Sequence, residues 1–435
     1  MTIDANELPR GWATSKLDEI TTAVSTNGKK VKTKDAHSTG EFPVIDQGAA
    51  ECAGYLDDES LVIHASLDHP IVLFGDHTRI VKYIQRDFIP GADGTKLLQA
   101  KSGIQPKYLH YLVAAAEVPD RGYGRHFHHL KEIELPVAPA AEQKRIADKL
   151  DTVFTRVDAV NTRLARVAPI LKRFRQSVLA AATSGRLTEG WRDASPTTPA
   201  WSQTTVGAIE TDLRYGTSKK CSVEPVGSAV LRIPNIGSDG GPELNDLKYA
   251  EFDLAEQAKL ALRAGDLLII RSNGSVDLVG KCCVVNEQAA GMLFAGYLMR
   301  LRMDAARALP KFVYLALSSP SHRALIERTA KSTSGVNNIN SEELRSLPLH
   351  LPPLEEQAEI VRRVETLFAF ADRLEARLQT AQTATERLTP ALLAKAFRGE
   401  LVPQDPNDEP ASELLRRLQQ EAPSTSTKRG RKSAA

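Results

Sequence analysis

Basic and amide side chains collect in short stretches rich in glycine and serine at five places along the chain. Asn27-Gly28-Lys29-Lys30-Val31-Lys32 and Arg121-Gly122-Tyr123-Gly124-Arg125-His126 lie in the first third. Arg214-Tyr215-Gly216-Thr217-Ser218-Lys219-Lys220, Arg271-Ser272-Asn273-Gly274 and Thr333-Ser334-Gly335-Val336-Asn337-Asn338 lie further on. Lysine and arginine suit contacts to phosphate, and arginine and asparagine can also pair two hydrogen bonds with the edge of a base. A lysine-rich loop is usually only solvated. Recurrence of one pattern in two separate parts of the chain is what selects Lys29, Lys30, Lys32, Arg125, His126, Lys219, Lys220, Arg271, Asn273, Asn337 and Asn338 as candidate DNA contacts.

Other chemistry is poorly provided for. Asp76-His77 and His126-Phe127-His128-His129 would be the places to look for a nuclease or metal site. Histidines at i, i+2 and i+3 with no carboxylate nearby do not converge readily on one ion, so packing or phosphate contact is the expectation there. The four cysteines, Cys52, Cys221, Cys282 and Cys283, fit no zinc spacing and read as reduced, partly buried thiols. No Asn-Pro-Pro-aromatic or Asp-Pro-Pro-Tyr tetrapeptide occurs, no glycine-rich donor loop follows a strand, and Gly91-Ala92-Asp93-Gly94-Thr95-Lys96 has the wrong spacing for a nucleotide phosphate loop. The chain should not be an enzyme by itself.

These loops need elements to hold them. At 435 residues the chain exceeds one hydrophobic core, so two or three domains are expected. Hydrophobic content of 42% and charged content of 25% are ordinary for a globular protein, and a net charge of +2 means that any nucleic-acid surface must be locally concentrated. No apolar run approaches the ~20 residues of a membrane span and Met1–Trp12 lacks a signal-peptide core, which predicts a cytoplasmic protein with no membrane partner.

Residues 142–187 and 356–401 are two copies of one helical segment at a constant offset of 214, with 14 of 46 aligned pairs identical, among them Glu142/Glu356, Gln143/Gln357 and Gly185/Gly399. A unit of ~200 residues is too long for a solenoid repeat and reads as a duplicated domain pair. Apolar residues step by 4 and 3 through Ile146, Leu150, Val153, Val157, Val160, Leu164, Val167, Leu171, Phe174 and Val178. The second copy repeats this with Ile360, Val364, Leu367, Ala371, Leu374, Leu378, Ala381, Thr385, Leu388 and Leu392. A sustained 3.5-residue period marks a coiled-coil seam. Prolines precede each copy and a glycine suited to a left-handed cap ends it, while Pro169 and Pro390 lie off the seam and predict kinks. Each copy follows a strand-rich globule, residues 8–134 and 198–348, with apolar β-like runs at 42–45, 71–74, 267–270 and 282–285 and short helices at 107–116 and 311–318. Because the second globule leads from one helix into the other, the helices should run antiparallel about a pseudo-two-fold axis, with a globule at each end.

Phe74-Gly75-Asp76-His77-Thr78, Gly91–Lys96, Ser272-Asn273-Gly274-Ser275, Leu278-Val279-Gly280-Lys281 and the repeated Pro, Glu-Gln, Ile lead-ins resemble the specificity subunits of Type I restriction–modification systems over about residues 8–415. The resemblance implies an α+β fold of two strand-rich target-recognition domains separated by two long antiparallel coiled-coil helices. Composition marks 403–435 as a partly disordered tail with a helix at 411–421, and the resemblance places target-recognition domain 1 at 1–134, a helical region at 135–190, domain 2 at 191–348 and the second helical region at 349–402. It also implies a non-catalytic subunit that reads a bipartite double-stranded DNA target and docks two methyltransferase subunits through seam residues such as Ile146, Leu150, Val157, Leu164, Leu171, Ile360, Val364, Leu367, Leu374 and Leu378. A restriction/translocase subunit would join. S-adenosylmethionine, ATP and Mg would sit on the partners, and this chain would carry no cofactor or metal. A single-chain restriction enzyme and a coiled-coil scaffold without DNA readout are the alternatives.

Overall fold

A computed structural model describes residues 8–92, 94–120, 122, 124–194, 199–330 and 335–421. The chain folds as two compact units, Met1–Leu164 with Thr380–Ala435, and Ala165–Gln379. The division falls inside the long helices, so each unit takes half of each helix together with one strand-rich body.

Both bodies follow one plan. In the first unit a four-stranded antiparallel sheet runs in the order Thr21–Ala23, Thr95–Ala100, Ile71–Gly75, Val81–Ile84. In the second unit the order is Glu210–Tyr215, Leu298–Met303, Leu267–Ile270, Cys282–Val284. Each body adds a three-stranded mixed sheet: Gly54–Leu56, Phe42–Ile45 and Ile89–Pro90 in one, and Lys248–Ala250, Ser228–Leu231 and Leu293–Phe294 in the other. The unbroken apolar runs explain themselves in this setting, because successive residues of a strand face opposite sides and these strands are covered on both. Val72 and Phe74 enter the core shared with the helices, whereas Ile71 and Leu73 enter a core on the other face. Leu267 and Ile269 likewise part from Leu268 and Ile270.

The short helices expected near 107–116 and 311–318 are Pro106–Ala115 and Pro310–Ser318, each opened by a proline whose fixed φ suits the first helical turn. A two-stranded ribbon then joins the start of each body to its exit: Ala13–Ser15 pairs with Leu135–Val137, and Ser202–Thr205 with Pro348–Leu351. The exits lead directly into long helices at Ala140–Thr183 and Leu354–Phe397, each of 44 residues. Neither helix terminates at its internal proline. Gly185 at φ 80° and Gly399 at φ 72° stand just beyond the ends in the left-handed conformation expected of C-terminal caps.

The seam is largely buried. Ile146, Leu150, Val157, Leu171 and Val178 are covered in the first helix, and Ile360, Val364, Ala371, Leu378 and Thr385 in the second. Leu164, Leu367 and Leu374 are half-buried. Val160 and Leu388 depart from the heptad expectation, being 41% and 43% exposed, so the apolar line is interrupted there. In the second unit Val178, Leu179 and Ala182 share a core with Ile360, Val361 and Val364, and Arg175, further back, reaches forward to Asp372 and Glu375 at 2.6 and 3.0 Å. The helices therefore run antiparallel in this unit. In the first unit Ile146, Ala147 and Leu150 share a core with Leu393, Ala396 and Phe397, which joins the start of one helix to the end of the other.

Part of the tail packs into the first unit. Helix Ala411–Glu421 buries Ala411, Leu414, Leu415 and Leu418 in the first unit's core, and the Ala411 amide donates to Gly11 O at 2.8 Å. Residues 422–435, with the basic run Lys428–Lys432, lie outside the described residues. Among the described residues no helix is long and apolar enough to cross a membrane, and no group of His, Cys, Asp or Glu gathers for a metal ion. Cys52 and Cys221 are half-buried free thiols and Cys282 and Cys283 are buried ones.

Candidate nucleic-acid interface

Sheet topology brings the separated loops together. In the second unit Glu210–Tyr215 and Leu267–Ile270 both pair antiparallel with Leu298–Met303, so these two strands run parallel and end on the same edge. The loops 215–220 and 271–274 leave from that edge. Strand Ser272–Asn273 then pairs with Asn337–Asn338, which adds the third loop. Four of the six candidates of this body, Arg271, Asn273, Asn337 and Asn338, thereby form one cluster.

Its polar groups are held by short-range bonds. Asn273 Oδ1 accepts from the Ser275 amide at 2.9 Å, the local turn for which asparagine is suited. Asn337 Nδ2 donates to Gly274 O at 2.9 Å, and Arg271 Nε donates to Asn338 Oδ1 at 3.2 Å. The Arg271 guanidinium stacks 4.5 Å from the centroid of Tyr215, whose hydroxyl accepts from the Ser341 amide at 2.9 Å. A guanidinium fixed on an aromatic face loses less freedom when it meets a base or phosphate, and an attraction of ~0.5–1 kcal/mol is usual at a partly exposed site. Lys219 and Lys220 are exposed on the neighbouring loop. Lys219 lies 4.9 Å over Phe252 and 3.9 Å from Glu256 Oε2, so part of its charge is met within the protein. Glycine is required at Gly216, where a Cβ would collide with the carbonyls of Phe294 and Ala295.

The first unit builds the same corner from different residues. Thr21–Ala23 and Ile71–Gly75 run parallel and end on one edge, next to loops 24–32 and 76–78. Asp76 N donates to Gly94 O at 2.7 Å and His126 N donates to Asp76 O at 2.8 Å. The corresponding bonds in the second unit are Arg271 N to Tyr297 O and Ile339 N to Arg271 O, both 2.9 Å. Asp76 thus occupies the place of Arg271, Gly94 that of Tyr297, and His126 that of Ile339.

That equivalence overturns one expected contact. His126 is 1% exposed, its Nδ1 lies 2.9 Å from Asp76 O, and it fills the place that an isoleucine fills in the other body. Burial, with an internal partner for the ring, makes it part of the framework rather than of the surface. Asp76, also buried, accepts the His126 and Phe127 amides at 2.9 and 2.8 Å and thereby caps helix Phe127–Glu132. Lys29 donates to Val62 O at 2.6 Å and Lys30 to Thr95 O at 3.2 Å, which ties their loop to the sheet edge. Lys32 and Arg125 are exposed. Arg121, Tyr123, Thr333 and Ser334 lie outside the described residues.

A second duplicated site joins each body to a long helix. Trp12 Nε1 donates to Glu142 Oε2 at 3.1 Å, and Trp201 Nε1 to Glu356 Oε2 at 2.9 Å. Gln143 Nε2 donates to Ala138 O while its Oε1 accepts from the Gln105 amide; Gln357 does the same with Pro352 O and the Leu309 amide, at 2.8–3.0 Å throughout. The repeated Glu-Gln pair is therefore a buried clamp. The repeat displays both Glu-Gln pairs, but not their tryptophan partners, which lie more than a hundred residues away in sequence.

The sequence profile of the Type I restriction modification DNA specificity domain matches residues 9–168 and 231–382. The chain belongs to this family. The StySPI specificity subunit of Salmonella potsdam is 31% identical over 433 residues, covering 92% of each chain. The EcoKI specificity subunit of Escherichia coli K12 is 41% identical over 273 residues, 62% of this chain and 58% of that subunit. Among solved structures, a chain from a type I R-M system studied for complex assembly and conformational transition aligns with a TM-score of 0.68 at 20% identity, over 90% of this chain and 99% of that one. The HsdS subunit from Thermoanaerobacter tengcongensis aligns at 0.54 and 21%, over 92% and 100%. At these identities the two structures establish a shared fold. The corner at Arg271 is where the structure gathers most of the second unit's candidate residues.

Proposed function

We propose that this chain is the non-catalytic DNA-recognition subunit of a Type I restriction–modification complex, with each unit reading one half of a split double-stranded target. The observation that carries the reading is the repetition of one loop corner at the same sheet edge of both bodies, with different side chains on the same backbone scaffold. Two equivalent scaffolds carrying unlike residues suit two half-sites of unlike sequence. Phosphate contacts from Lys32, Arg125, Lys219 and Lys220 would set register, and Arg271, Asn273, Asn337 and Asn338 would face bases.

Assembly belongs to the long helices. Their seam residues fix the helix pair, and the exposed faces around it would dock two methyltransferase subunits, with a restriction/translocase subunit completing the complex. S-adenosylmethionine, ATP and Mg would be bound by those partners and none by this chain. A cytoplasmic location, with the cell's DNA, follows from the same reading.

Sequencing the methylated positions of the host genome tests this. A split, asymmetric motif that disappears when the gene is deleted is the expected result. A contiguous motif, or methyl transfer by the purified chain freed of other methylases, would overturn it.

A further inference from the structure

We propose that Tyr297 is a specificity-determining base contact of the second unit. This rests on the reading of that corner as a DNA interface and adds a residue whose chemistry is neither cationic nor amide. Tyr297 is 64% exposed and so presents its ring to solvent, where Tyr215 on the same corner is 38% exposed. It precedes strand Leu298–Met303 at the edge where the loops 215–220 and 271–274 emerge.

Its backbone is clamped from both sides. Arg271 N donates to Tyr297 O at 2.9 Å, Gly296 N donates to Thr217 O at 2.7 Å, and Thr217 N donates to Phe294 O at 2.9 Å. The ring therefore projects from a fixed point between the arginine stacked on Tyr215 and the strand end that leads to Lys219 and Lys220. An aromatic ring carried on the same sheet end as these cationic and amide groups is suited to the bases of a duplex whose phosphates those cations would hold, through contact with a thymine methyl or partial insertion at a base step.

The first unit makes the ring's role specific to one half-site. The equivalent residue there is Gly94, at φ 80°, and a Cβ on it would lie 2.7 Å from Gln47 Oε1 and 2.8 Å from His77 Cδ2. A side chain at that position would be strained at this φ and would have to displace the Gln47 amide and the His77 ring, whereas the second body presents a large one to solvent. The same node is thus closed in one unit and extended in the other.

The test uses the full chain in complex with its methyltransferase subunits and duplexes carrying the host motif. Tyr297→Ala should relax preference at one or two adjacent base pairs of the second unit's half-site by roughly 5- to 100-fold. The other half-site, the salt dependence of binding and the thermal midpoint should stay as in the parent, because the ring is neutral and exposed. Tyr297→Phe should keep the preference. Arg271→Ala and Lys220→Ala serve as controls in the same assay. If they weaken binding while Tyr297→Ala keeps full discrimination, the inference about Tyr297 is overturned and the interface stands. If all three behave as the parent, the interface itself is misplaced and both readings fall.

Discussion

Glu142 and Glu356 occupy the same place in the two copies of the clamp, yet replacing them with glutamine should have opposite effects. Glu142 is 1% exposed; its Oε2 accepts from Trp12, and its Oε1 has no hydrogen-bond partner. Burial is the main cause that raises its carboxyl above the ordinary value; the Trp12 bond and Arg145 oppose this only in part, and Arg145 is itself paired with Asp408 at 2.6 Å. Glu356 is fully buried as well, but Thr188 Oγ1 donates to its Oε1 at 2.7 Å and Arg192 pairs with it. At the matching offset of 214 the first unit has Val402 and Pro406, whose side chains can donate nothing. A buried polar group without a partner costs about 1–3 kcal/mol, and more when charged. In Glu142→Gln a neutral amide replaces a carboxylate with one empty oxygen, and Trp12 keeps its acceptor. A gain of about 1 kcal/mol at neutral pH, or about 2–4 °C in Tm for a domain of this size, is expected. The sign of the pH dependence follows from linkage. An acid whose native pKa is raised favours folding below its ordinary value and loses that contribution as pH rises through the raised one. The advantage of the glutamine should therefore be absent near pH 4 and grow towards pH 7. Glu356→Gln leaves three donors facing one acceptor oxygen and removes the charge opposite Arg192. Water can reach that arginine, which is 30% exposed, so the loss should be about 1–3 kcal/mol rather than the full cost of breaking a buried pair. Thermal unfolding of the full chain at pH 4 and pH 7 measures both. If Glu142→Gln lowers Tm at pH 7 as much as Glu356→Gln does, the empty oxygen is not the determinant and the argument fails.

Gly399→Ala should destabilise the first unit by about 2–4 kcal/mol, because its left-handed backbone and a collision with the Pro9 ring act together; Gly185→Ala should cost its unit only about 1–2 kcal/mol, since its nearest neighbours are the terminal nitrogens of Arg192 at 3.1 and 3.3 Å and Trp201 at 3.3 Å. Denaturant titration of the two variants gives the difference, and equal costs would contradict it. His126→Ala should lower stability by about 2–4 kcal/mol through a cavity and the lost bond to Asp76, with base preference unchanged in a selection from random duplexes; relaxed preference in a stable variant would return His126 to the surface.

What could be read from sequence, and what could not, depends on where each feature is written. The central strands were legible because Ile71–Phe74 and Leu267–Ile270 are apolar at every position, the signature of a strand covered on both faces. The long helices were legible because a 3.5-residue period persisted in two copies. It misled at Val160 and Leu388, since a heptad pattern predicts a line and not how completely a partner covers it. The equivalence of the two corners could not be read at all. Asp76, Gly94 and His126 share no residue type with Arg271, Tyr297 and Ile339, and only the matching backbone hydrogen bonds identify them. Backbone bonds carry no side-chain signal, so a chain can keep the scaffold while exchanging a buried carboxylate for a stacked guanidinium. A recognition module needs that separation: the atoms that fix the edge of the sheet are common to both units, and the atoms that meet the ligand are free to differ. His126 shows the same limit, because a histidine among basic and glycine residues looks exposed until the strand ending at Gly75 places it in the core.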